Sequence, residues 1–148
     1  MLRQTPGRRG VEYFPASGGA LGTIVRDHTA LTGFPHEGFC DLQFYNLVNA
    51  AFPLPIDQWP SEVKPIVGGI RTTSEFLSKT KNLSRVAYAV EGKSGGGKLL
   101  ITTLRIRENF DETHPEVMAL ADAFLRYVTG AAFDPQETIP EVVLGGLL

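Results

Sequence analysis

The residues of this chain whose types and spacing bear on chemistry are one cysteine, three histidines, a cluster of aromatics and a glycine-rich loop. Cys40 follows His36 by four residues, with His28 further upstream. A thiol nucleophile needs an imidazole within hydrogen-bond reach and donors for an oxyanion. Residues four apart can meet, but Gly38-Phe39 and Asp41-Leu42 build no G-x-C-x-G elbow around Cys40. Free cysteine is commonly a small buried hydrophobe. No catalytic residue is therefore assigned; Cys40 and His36 are the candidate pair for a cysteine-dependent hydrolase, the alternative reading. His28, His36, Glu37 and Asp41 offer metal-ligand types, yet His36-Glu37 lacks the second histidine of H-E-x-x-H. Neither a metal nor a cofactor is expected.

Glu91-Gly-Lys-Ser-Gly-Gly-Gly-Lys98 has the glycine interval of a phosphate-binding loop. Such a loop requires Ser or Thr after the lysine and then a helix whose N-terminus faces the phosphate. Leu99 stands there instead, and a β-prone run follows, so a hairpin loop is expected. Phe39, Phe44, Tyr45 and Trp59 would suit stacking on a sugar ring if exposed. With His36, Glu37 and Asp41, the aromatics Phe44, Tyr45 and Trp59 are the candidate binding residues of a carbohydrate-binding alternative.

The elements that position these groups centre on Arg85 to Gly130. Arg85–Glu91 alternates, with Val86, Tyr88 and Val90 on one face and Ala87 and Ala89 on the other. Lys98–Ile106 reads as a strand buried on both faces, and Gly92–Gly97 as a long, mobile loop closing an antiparallel hairpin at 85–106. Thr113-His-Pro-Glu116 has the pattern of a capping box with proline in the first turn. Val117, Ala121, Phe124, Leu125 and Val128 then share a helical face, and Gly130 is placed to end the helix. Upstream, Ala20–Val25 and Lys64–Ile70 are short strand candidates. Residues 27–38 read as a loop with one helical turn, 39–52 as a helix stopped by Pro53-Leu-Pro55, and Ser74–Lys79 as a short helix.

A chain of 148 residues suits one domain with a real core. Its net charge of −2 gives no motive for a nucleic-acid partner. One cysteine excludes an internal disulfide. No apolar run reaches the roughly 20 residues of a membrane span, and no apolar h-region marks an export signal, so localisation is unknown. The expected division is a flexible arm over 1–20, an α/β domain over 21–135 and a tail over 136–148. The apolar end Val142–Leu148 needs a surface to cover, its own or a neighbour's.

His28-Thr-Ala-Leu-Thr-Gly-Phe-Pro-His-Glu-Gly-Phe-Cys-Asp-Leu-Gln-Phe44 resembles the "HPAL..FPTE.H.DWQWW" segment of a C-terminal accessory domain in bacterial family 2, β-galactosidase-like glycoside hydrolases. The resemblance continues in order through Lys64–Val67, Ala87–Lys93, Gly96–Leu100 and Ala119–Tyr127, and covers roughly residues 20–135. Those domains are similar to class I glutamine amidotransferases, which are flavodoxin-like three-layer α/β sandwiches, and generally lack a working catalytic triad. The resemblance implies a non-catalytic accessory or oligomerisation module, exported if its parent is a typical glycosidase. The implied partners are another copy or a larger glycosidase chain, with carbohydrate as a further possibility. Leu42, Phe44 and Tyr45 stand where the tryptophans of the related segment lie, and no glycosidase barrel or elbow cysteine is present. The chain is thus expected to be the later portion of an amidotransferase-like domain.

Overall fold

β-Prone runs separated by glycine turns assemble here around one long strand. The computed structural model describes residues 22–73 and 82–145. The arm expected over 1–20 and the helix expected at Ser74–Lys79 lie outside them. The strands are β1 (Thr23–Val25), β2 (Leu54–Pro55), β3 (Val67–Thr73), β4 (Asn82–Ser94) and β5 (Gly97–Thr102); the α-helices are α1 (Tyr45–Val48), α2 (Pro115–Thr129) and α3 (Glu141–Gly145). This is a mixed α/β architecture with an antiparallel sheet. No helix among the described residues is long and apolar enough to cross a membrane.

β4 is the spine. One of its edges pairs β3, which in turn pairs β1. Its other edge takes β2 at Leu54↔Ala87 and Pro55↔Val86, then β5 from Ala89↔Thr102 to Ser94↔Gly97. All of these pairings are antiparallel. Beyond β3, a parallel bridge forms: Lys93 N–H donates to Glu137 O at 2.8 Å, and Ile139 N–H donates to Lys93 O at 2.8 Å.

The expected hairpin is present, but its loop is not long. Both strands run to a two-residue turn at Gly95-Gly96, whose φ values of +55° and +80° suit the primed turns that match strand twist. Gly92, expected in the loop, lies inside β4. A Cβ there would sit 2.5 Å from Ile139 Cγ1, so a bare backbone is what lets the 137–139 segment close over the strand. β5 is also not buried on both faces; Leu99, Leu100 and Ile101 are each half-buried. The reason is its place at the margin of the sheet.

The expected alternation along β4 breaks at Tyr88. Val67 opposes Ala89 while Gly68 opposes Ala87, which leaves Tyr88 as the extra residue of a bulge. Tyr88 and Ala89 consequently both join the core under α2, whereas Ala87 and Val90 join the opposite one. The first core sets Val117, Leu120, Phe124 and Tyr127 of α2 against Val25, Leu31, Phe44, Leu47 and Val67. The second gathers Leu54, Ile56, Trp59, Val63 and Ile139, with Val143 and Leu144 of α3 packed against it. Val143 and Leu144 of the apolar tail thus lie against the domain's own second core, while Val142 is 84% exposed.

α2 begins and ends where Pro115 and Gly130 place it, with two corrections. His114 is the N-cap and makes no side-chain cap bond; Thr113 instead bonds to Asp111, whose carboxylate also accepts from His114 Nδ1 at 2.9 Å. Those bonds hold the exposed Asp111 carboxyl down at about 2. Glu116 accepts from Asn46 Nδ2 at 3.0 Å, so it ties α2 to α1 rather than closing a capping box. Leu125 is 62% exposed, and Leu120 and Tyr127 take the core positions instead.

The helix expected over 39–52 is shorter than its periodicity suggests. A 3₁₀ turn over Leu42–Phe44 leads into α1. Asp41 starts it, accepting from Gln43 N–H at 3.1 Å. Its end is held from a distant loop: Arg105 N–H donates to Leu47 O at 2.9 Å and Asn109 Nδ2 to Asn46 O at 2.7 Å.

Candidate functional site

Three elements bring one polar cluster together beneath α2. A 3₁₀ turn over Thr29–Leu31 packs against α2, and His28 caps it: Nδ1 accepts from Ala30 N–H at 3.2 Å. That bond leaves the ring proton on Nε2, which faces Glu91 Oε1 of β4 at 3.4 Å. Tyr127 of α2 donates its hydroxyl to Glu91 Oε2 at 2.7 Å. The rings of His28 and Tyr127 meet edge to face at 5.5 Å, and Phe133 meets Tyr127 edge to face at 5.2 Å. The His28 and Glu91 side chains are only 13% and 15% exposed, so this is a nearly dry arrangement.

The electrostatics follow from that burial. Desolvation lowers the His28 pKa, against the raising effect of the Glu91 carboxylate. Desolvation, reinforced by Glu91, pushes the Tyr127 phenol up to about 12, while a bond from Thr29 opposes it. With both ring nitrogens committed, neutral His28 has no lone pair left for a substrate proton or a metal. The cluster is a tie between the Thr29–Leu31 turn, the sheet and α2.

A pH dependence follows, with its sign set by the lowered His28 pKa. A folded-state pKa below the unfolded value near 6.5 means that the unfolded chain binds the extra proton first. The stability contributed by neutral His28 is therefore complete above about pH 6.5 and is lost as pH falls through that value toward the folded pKa. Denaturation midpoints measured from pH 8 to pH 5 should decline for the native chain and decline less for His28→Gln. Parallel profiles would exclude His28 as the titrating group.

The other candidates are dispersed. Cys40 is fully buried, and burial pushes its thiol up to about 11. Its own N–H donates to Thr23 Oγ1 at 3.2 Å. His36 turns Nδ1 to Gly38 N–H at 3.2 Å, and no hydrogen bond joins it to Cys40. Asp41 is occupied as a cap, and Glu37 is exposed. Phe44 and Trp59 are buried, one in each core, so neither offers a face to a sugar. Tyr45 is 56% exposed, beside Leu42 at 90%. An open cleft of about 790 Å³ lies between Asp27, His28, Thr32, Phe34, Pro35 and His36. Among the described residues, no group of three His, Cys, Asp or Glu side chains converges on a metal-sized site.

Glu91 and Tyr127 were not among the sequence candidates. The available signal was a lone carboxylate at the end of the apolar run 86–90, since an acid in a buried strand requires a partner. The comparisons add no activity to this geometry. No curated protein matches the sequence. Residues 10–148 match the family described as a domain of unknown function (DUF8487), and over that span the chain belongs to this family.

Proposed function

We propose that this chain is a non-catalytic accessory or oligomerisation module, related to the amidotransferase-like C-terminal domains of family 2 glycoside hydrolases, and that it works by packing against another chain. The observation that carries this reading is the division of roles within 36–52. Of the groups able to do chemistry there, Cys40, His36 and Asp41 are buried or spent on backbone bonds, while Phe39, Leu42 and Tyr45 face solvent. Leu42 and Tyr45, three apart across a 3₁₀ turn, eclipse each other and form an apolar ridge.

The three-layer fold of those domains belongs to this proposal. Two covered faces of one sheet support a layered reading. The parallel strands of a flavodoxin-like sheet would have to come from outside the described residues. A carbohydrate-binding role would rest on Phe39 and Tyr45 alone, because Phe44 and Trp59 are buried.

The test is the solution mass of the whole chain by light scattering across a concentration series, alongside Cys40→Ala. A dimer or larger species, unchanged in Cys40→Ala, is the expected result. A hydrolytic activity abolished by Cys40→Ala would replace this reading with a cysteine-dependent hydrolase.

A further inference from the structure

The sheet has two lateral margins, and they are finished differently. At β1 the margin is closed: Val25 N–H donates to Gly38 O at 2.9 Å, and Thr23 Oγ1 accepts from Cys40 N–H. At β5 it is open. The direction of each backbone group there follows from the ladder. Thr103 N–H donates to Tyr88 O at 2.8 Å, which makes 103 and 88 a hydrogen-bonded pair. With the register Ala89↔Thr102 through Ser94↔Gly97, residues 97, 99 and 101 point their N–H and C=O at β4. Lys98, Leu100 and Thr102 point theirs away from it. β4 shows the matching phase, because Ala89 and Lys93 bond toward its opposite edge. None of the outward N–H and C=O groups of Lys98, Leu100 and Thr102 has a partner among the described residues.

We infer that β5 is the surface through which two copies of this chain pair, antiparallel, about a two-fold axis at Leu100. This rests on the association reading above and adds a second surface to the ridge at Leu42 and Tyr45. Three features suit a second copy of the chain. The outward groups are spaced symmetrically about Leu100, so self-pairing satisfies all of them at once. Leu100 exchanges both bonds with the second copy's Leu100, and Lys98 does so with the second copy's Thr102. No like charges then face each other, since lysine lies opposite threonine. Each face of β5 also already belongs to a core, with Leu100 packed on the first and Ile101 on the second. Pairing therefore extends both cores across the axis and covers the half-exposed Leu99, Leu100 and Ile101. An open edge of this kind is a template for another strand.

Lys98→Pro tests the inference directly. Its N–H faces away from β4, so proline removes an interchain donor without touching the hairpin ladder. Lys98→Ala controls for the ion pair of Lys98 Nζ with Asp134 Oδ1 at 3.0 Å. Sedimentation of the whole chain should show a dimer for the native protein and for Lys98→Ala. For Lys98→Pro, association should be at least ~10-fold weaker, as befits two lost hydrogen bonds, with an unchanged circular dichroism spectrum. Leu100→Cys gives an independent reading, because hydrogen-bonded antiparallel partners sit about 5.5 Å apart at Cα, within disulfide reach. It should form a cross-linked dimer under mild oxidation, and Leu125→Cys, on the exposed face of α2, should not. Undiminished association of Lys98→Pro, or a dimer that Leu100→Cys fails to cross-link, overturns the β5 surface and leaves the association reading standing. A native chain that stays monomeric at every concentration overturns both.

Discussion

Phe44→Ala should lower the stability of this domain by about 3–5 kcal/mol, the usual range for emptying a buried phenylalanine site. Phe44 is fully buried where the 3₁₀ turn over Leu42–Phe44 meets the first core, and its ring packs edge to face with Phe34 at 5.4 Å. The site cannot easily collapse. The chain on either side is pinned by the Asp41 cap and by the bonds from Arg105 and Asn109 to the end of α1. A loss of this size is a large share of the roughly 5–15 kcal/mol that holds a domain folded. Urea denaturation of Phe44→Ala beside Tyr45→Ala is the comparison to make. The exposed Tyr45 should change stability by no more than about 0.5 kcal/mol. Near-equal effects at the two positions would mean that Phe44 is not a core residue, and would return it to consideration as a ligand contact.

Glu91→Ala should have the next largest effect, about 2–4 kcal/mol, from two buried donors left without an acceptor. The Tyr127 hydroxyl and His28 Nε2 both lean on this carboxylate, and the His28 and Glu91 side chains are mostly buried. Tyr127→Phe should cost less, because Glu91 then keeps His28. A charge readout separates this account from simple loss of packing. The Glu91 carboxylate raises the His28 pKa against burial. Removing it should move the His28 titration, followed by proton NMR of the ring, to still lower pH. An unmoved titration, or a stability change under about 0.5 kcal/mol, would show that Glu91 is not the hub of the cluster.

Much of the scaffold was legible in the residues. Pro115 and Gly130 bracket α2, and the Gly-rich stretch between two β-prone runs marks the hairpin, because each acts through its own backbone preference. The bulge at Tyr88 was not legible. It is imposed by the pairing with Val67 and Gly68, twenty residues away, and nothing in the alternation of 85–91 announces it. The length of the glycine loop was misjudged for a related reason. Gly92 serves the close approach of Ile139, a need that appears only when the 137–139 segment lies beside the strand. Among the candidate groups, the sequence could place His36 and Cys40 near each other but not show that one turns to Gly38 while the other is buried. The His28–Glu91–Tyr127 cluster spans three distant elements, and local patterns carry no trace of such long-range convergence.

The central position of β4 also bears on the order in which the chain folds. Its pairing with β5 closes over a two-residue turn, so this hairpin has the smallest loop-closure entropy of any strand pair in the sheet. β1, β2, the Thr29–Leu31 turn and α2 all reach this unit from farther along the chain. A nucleus built on the hairpin would give φ-values near 0.5–0.8 for Val90 and Ile101. Substitutions in the Thr29–Leu31 turn and at Tyr127 would act mainly on the unfolding rate, so the polar cluster beneath α2 would govern how long the native state lasts rather than how quickly it is reached.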